Sequence, residues 1–152
     1  MTPTPCHFET AFAGDDQRTI AAARRWTREV LTEAGLPEGL VDDALTCVSE
    51  LATNAARHTA SGHLGGKYRV VLEVTGRRRA HVEVVDQGSE HAPDVQLGDA
   101  ESGRGLWICA TLGALQHAPA PSGGRRVWVD LPHPVPATCP VDQPHACDGG
   151  ER

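Results

Sequence analysis

The apolar residues change their period near residue 60, and that change confines the chain to folds that pair helices with a sheet. Ile20, Ala23, Thr27, Val30, Leu31 and Ala34 recur at helical spacing, with Gly35 closing the segment and Pro37 just beyond. A second stripe, Val41, Ala44, Leu45, Val48, Leu51, Ala52 and Ala55, predicts a helix over about 37–58. From there the pattern alternates. Val70, Leu72 and Val74 share one face of a strand over 68–75, and Val82 and Val84 share one face of a strand over 80–86. Gly76, Arg77, Arg78 and Arg79 read as the hairpin between them. A leading strand from Cys6 to Ala13, a helix start at Asp15 or Asp16, a helix opening at Gly103 and strands over 114–118 and 126–131 complete the order. That order is strand, two helices, two strands, helix, two strands. It predicts an α+β fold, a two-layer α/β sandwich in which a mixed, mostly antiparallel sheet is covered by helices on one face.

A chain of 152 residues fits one domain. Aromatic residues make up only 4%, so its core has to be built from Ala, Val and Leu. With 14 basic and 20 acidic side chains the net charge is −6, which repels a nucleic-acid backbone; the three arginines at 77–79 read as a solvated turn. No apolar run is long enough to span a membrane, and the first residues lack a basic segment followed by an apolar one. Cys6, Cys47, Cys109, Cys139 and Cys147 are odd in number and without close pairs, which predicts reduced thiols in a cytoplasmic protein. Five of the 11 prolines lie beyond Leu131, so the domain is expected over 1–131 and a disordered tail over 132–152. His133, Cys139, His145 and Cys147 in that tail lack the close cysteine pair of a zinc site.

Three stretches carry chemistry. On the second helix Glu50, Asn54 and His58 fall one turn apart on one face, which is either a functional face or simply a solvated one. His58 is expected to pack or to orient Asn54. Asp86, with Gly88 two residues on, ends a strand: the carboxylate is held firmly, and the glycine admits a flat ring, unless this is an ordinary turn exit. Gly103, Arg104, Gly105 and Leu106 open a helix, where exposed backbone N–H groups favour an anion such as phosphate; a glycine-containing cap reads the same way. A dinucleotide-binding Rossmann domain is excluded, because its glycine turn follows the first strand directly, whereas Gly103 follows a long polar stretch.

Together and in this order, Glu-x-x-x-Asn-x-x-x-His, Asp-x-Gly and Gly-x-Gly-Leu resemble the nucleotide-binding boxes of the GHKL (histidine-kinase-like) ATPase superfamily. Within it the chain is most similar to the small single-domain anti-sigma-factor serine kinases of actinobacteria. The resemblance runs from Cys6 to Leu131. It implies ATP held between helices and sheet with Mg²⁺. Glu50 matches the general base, Asn54 the magnesium ligand, Asp86 the acceptor of the adenine amino group, and Gly88 the glycine beneath the base. Gly103 and Gly105, with Arg104 and Leu106 in the same box, match the phosphate cradle, and Gly123 and Gly124 resemble the last glycine box. Ser89 stands where a second adenine-box glycine is common, and Arg125 where a threonine is. Between them 89–102 holds Glu90, Asp94, Asp99 and Glu101 and no Lys or Arg. The implied partners are a sigma factor and an anti-sigma-factor antagonist phosphorylated on serine or threonine, with a homodimer as the implied assembly. The alternative is an ATP-gated partner-binding module without useful catalysis.

Overall fold

The computed structural model describes residues 3–88 and 103–133. Expectations for the acidic stretch 89–102, Ser89 included, and for the tail beyond His133 lie outside those residues. The elements run β1 (Cys6–Ala13), α1 (Arg18–Glu33), α2 (Glu38–His58), a short 3₁₀ turn (Ala60–Gly62), β2 (Lys67–Thr75), β3 (Arg79–Val85), α3 (Gly103–Leu112), β4 (Ala114–Pro119) and β5 (Arg125–Leu131).

α2 is the central element. Its predicted stripe is buried throughout, joined by Cys47, and the helix contacts β2, β3 and β5 below it and α1 and α3 at its sides. α1 starts at Arg18, later than expected. Asp16 acts from outside the helix, its Oδ1 accepting the Arg18 N–H at 2.9 Å. At the far end the Leu36 N–H reaches the Leu31 carbonyl at 3.2 Å, a six-to-one bond that turns the chain after Gly35 and drops Leu36 into the core. Thr27, wholly buried, donates its hydroxyl to the Ala23 carbonyl at 2.8 Å, so the buried hydroxyl is not left unpaired.

The sheet order is β1-β2-β3-β5-β4, and every pairing among the described residues is antiparallel. The expected mixed character survives only in strand direction. α3 carries the chain back across the sheet, so β4 runs the same way as β3, but β5 inserts between them and removes any parallel pair. Val70 opposes Val84, Leu72 opposes Val82 and Val74 opposes Ala80, which sets the inward faces of β2 and β3 against α2. Cys6, Cys47 and Cys109 are free thiols, the last two buried in the core, and hydrogen bonding with Cys47 together with burial pushes the Cys109 thiol up. No helix among the described residues is long and apolar enough to cross a membrane.

The other face of the sheet bears a charged network. Glu83 is buried, and it accepts two hydrogen bonds from Arg126, Nε at 2.7 Å and Nη2 at 2.9 Å. His81 lies 3.0 Å from Glu83 and 2.7 Å from Asp130, and the Arg126 guanidinium stacks over Trp128 at 4.9 Å. Burial opposes ionisation of Glu83, but the bonds from His81 and Arg126 outweigh it and hold the carboxyl at about 2, below the usual 4.5. Burial likewise opposes the charge on His81, yet Glu83 and Asp130 raise it above 6.5. Linkage then has two opposite limbs. The Glu83 contribution is complete above pH 4.5 and is lost as pH falls toward 2, whereas that of His81 is complete below 6.5 and is lost as pH rises through its raised value. The urea midpoint is therefore expected to fall on both sides of the weakly acidic range, and Glu83→Gln should flatten the acid limb. A Glu83→Gln protein with an unchanged acid limb would show that the network does not carry it.

Candidate functional site

The ends of β3, β5 and α2 converge on Asp86. Its backbone N–H donates to the Arg125 carbonyl at 2.9 Å, so the antiparallel ladder continues one residue past β3. Its Oδ1 accepts the Gly88 N–H at 2.7 Å and the Arg125 N–H at 3.2 Å. One carboxylate oxygen is thus engaged by the backbone. Burial pushes the Asp86 carboxyl up, and the N–H groups of Gly88 and Arg125 draw it back.

Two glycines make this convergence sterically possible. A Cβ on Gly124 would collide with the carbonyl oxygen of Asp86, and Gly88 takes a backbone φ of +80° with its Cβ position only 3.3 Å from the Gly123 carbonyl. The 3₁₀ turn after α2 closes the other side. The Ala60 N–H donates to the Gly88 carbonyl at 2.7 Å, and the Gln87 N–H donates to Ser61 Oγ at 3.0 Å. Thr59 holds that turn, accepting from the Ser61 N–H at 3.1 Å and donating to the Ala55 carbonyl at 2.6 Å. Neither the turn nor the Arg125 contribution was expected from the pattern of apolar residues. The Gly123-Gly124 pair was the one signal that pointed to this strand end.

Glu50 and Asn54 sit half-buried on α2, and α3 meets Glu50 through Gly105. A Cβ on Gly105 would collide with Glu50 Oε2 and come within 3.1 Å of its Cδ, so a larger residue here would push the Glu50 carboxylate aside. Leu106, 8% exposed, anchors the start of α3 in the core, while Arg104 is exposed. The first-turn N–H groups of α3 have no intrahelical partner, which is the donor set an anion takes. Asn54 has no hydrogen-bond partner among the described residues, so its carboxamide oxygen is available to a ligand. His58 departs from expectation. As the last residue of α2 it projects past the layer beneath and is exposed, neither packed nor bonded to Asn54.

The structure therefore brings the predicted residues together in two groups, Glu50 with Gly105 and Asp86 with Gly88 and Gly124, strung along one helix. From Glu50 to the end of α2 at His58 the axis advances about 12 Å. A magnesium ion is compatible with this donor set. No cluster of three metal-ligating side chains exists among the described residues, and a Mg²⁺ that keeps several waters and takes phosphate oxygens needs no more than one protein oxygen such as that of Asn54.

No curated protein matches the chain. Residues 14–128 match the family model described as the histidine kinase-like ATPase domain, a family whose members bind ATP, typically with Mg²⁺. That match spans the helical layer, the central strands and both residue groups of the site, and the chain belongs to the histidine kinase-like ATPase domain family.

Proposed function

We propose that the chain is an ATP-dependent serine/threonine protein kinase of the anti-sigma-factor type, acting in the cytoplasm. It transfers the γ-phosphoryl group to a hydroxyl on a small anti-sigma-factor antagonist, and it holds a sigma factor when that antagonist is phosphorylated. The observation that carries the reading is the contact of Gly105 with Glu50, which sets a carboxylate at the opening turn of a helix whose N–H groups suit phosphate.

Asp86 accepts from the amino group of adenine, with Gly88 leaving room beneath the ring. The α3 N-terminus and Arg104 receive phosphate oxygens, and Leu106 fixes that turn in the core. Asn54 holds Mg²⁺, which when bound neutralises charge on the phosphates. Glu50 takes the proton from the attacking serine or threonine hydroxyl as the new oxygen–phosphorus bond forms, and the bond to the bridging oxygen of ADP breaks. ADP leaves with that electron pair.

Selectivity for the base follows directly. Guanine presents a carbonyl oxygen where adenine presents an amino group, so Asp86 would face an acceptor with an acceptor. ATP is expected to bind at least roughly 100-fold more tightly than GTP, and Asp86→Ala should erase most of the difference. Calorimetry with both nucleotides decides it, and equal affinities in the wild-type protein would overturn the assignment of the base site. Recovery of a small partner carrying phosphoserine only after incubation with Mg-ATP tests the wider reading. A protein that binds Mg-ATP and its partner but transfers no phosphate would instead be a nucleotide-gated binding module.

A further inference from the structure

The chain leaves β3 through Asp86, Gln87 and Gly88, and the backbone of all three is tied down. Bonds from β5 reach the segment at Asp86, one between backbone groups and one through the Asp86 carboxylate. The 3₁₀ turn supplies two more, the Ala60 N–H to the Gly88 carbonyl at 2.7 Å and the Gln87 N–H to Ser61 Oγ at 3.0 Å. Among the described residues Ser61 is thus the one side chain from outside the segment that holds its backbone.

Ser61 is wholly buried, and the turn that carries it is set firmly. A Cβ on Gly14 or on Gly66 would collide with the Ser61 carbonyl oxygen, so both backbones rest directly on the turn, and the Gly14 N–H donates to the Gly66 carbonyl at 2.9 Å. Asp15 Oδ2 accepts the Gly65 N–H at 3.0 Å, which ties the same loop to the connection between β1 and α1. The hydroxyl oxygen is therefore a fixed acceptor. Gln87 adds a second tether, its Oε1 accepting the Lys67 N–H at 3.1 Å where β2 begins. Gly88 follows Gln87, and its N–H binds Asp86 Oδ1 at 2.7 Å, so the direction of the carboxylate depends on where Gln87 is held. Without the hydroxyl the Gln87 N–H faces a buried methyl group. It then stays unpaired or moves away to find a partner, and Gly88 moves with it.

We propose that Ser61 is a positioning residue of the base site, its hydroxyl oxygen fixing Gln87 and, through Gly88, the direction in which Asp86 meets the base. The link to adenine rests on the base-site reading above; the hold on Gln87 does not. The test is a double-substitution cycle on the full chain, read by calorimetry. Ser61→Ala should weaken ATP binding about tenfold and leave GTP binding within about twofold, and in an Asp86→Ala background the same change should cost ATP less than about twofold, because the carboxylate it acts through is gone. A general loss of fold would instead weaken both nucleotides and persist in that background. Ser61→Cys separates hydrogen bonding from packing: sulfur fills the site but accepts weakly, so this variant should behave like Ser61→Ala, and it carries the cycle if the alanine protein melts early. Amide exchange followed by NMR reads the hold directly. Without nucleotide the wild-type Gln87 N–H should exchange at least about 100-fold more slowly than an unstructured amide, and in Ser61→Cys at least about tenfold faster than in the wild type. Rapid exchange of Gln87 in the wild type overturns the proposal whether or not any variant folds. So does wild-type ATP affinity in either Ser61 variant, or a loss that persists without the Asp86 carboxylate. If Asp86→Ala alone leaves ATP affinity unchanged, the base-site reading fails, and the hold on Gln87 is then judged by amide exchange.

Discussion

Glu50→Gln should lower phosphoryl transfer by roughly 100-fold or more while leaving Mg-ATP affinity within about twofold. The amide keeps the size and shape of the carboxylate, so the approach of Gly105 to the Glu50 side chain is preserved. What it removes is the basic oxygen that, in the proposed reaction, accepts the hydroxyl proton. Asn54→Ala, one turn along the same helix face, acts at a different step: removing the carboxamide oxygen leaves the phosphate charge less well neutralised, and Mg-ATP binding should weaken about tenfold. Affinity by calorimetry and transfer of label from γ-labelled ATP separate the two effects. If both variants bind and transfer as the wild type does, this face of α2 is only solvated and the assignment of both residues fails.

Gly124→Ala is the largest expected structural effect. The new Cβ would collide with the Asp86 carbonyl oxygen and stand 2.8 Å from the Asp86 carbonyl carbon and 3.1 Å from Gln87 Cα. All of these are backbone atoms, so no side chain can swing aside, and the ends of β3 and β5 must separate. Overpacking of this kind costs about 1–3 kcal/mol, several degrees in melting temperature for a domain of this size. Because the separation also draws the Arg125 N–H away from Asp86 Oδ1, ATP affinity should fall at least tenfold beyond any loss of folded protein. Gly39→Ala is the control. Its Cβ position is open and lies in the first turn of α2, where alanine is favoured by roughly 0.5–1 kcal/mol, so melting should be unchanged or slightly raised. Equal melting and equal ATP affinity in the Gly124→Ala protein would mean that the two strand ends do not meet as described.

The contrast between these variants follows the line between local and long-range information. Helical spacing from Val41 to Ala55 foretold α2 and its buried face, and alternation at Val70, Leu72 and Val74 foretold β2, because both periods come from backbone geometry that each segment carries within itself. The spacing of Glu50 and Asn54 on one face of α2, and the glycines after Asp86 and at the opening of α3, were legible for the same reason. Glu83 was not. Alternation sets it on the face away from the helices, where a solvated carboxylate is the ordinary outcome, yet Arg126 and Trp128 from β5 enclose it. Nor did any local signal announce that Arg125 completes the hydrogen bonding of Asp86 from 39 residues away, or that Gly105 rests against Glu50. Those meetings depend on β5 inserting between β3 and β4 and on α3 docking beside α2. The sheet order and the burial of the whole core decide such docking together, so the sequence alone determined which segments form and which faces are apolar, and the tertiary packing decided which chemical groups meet.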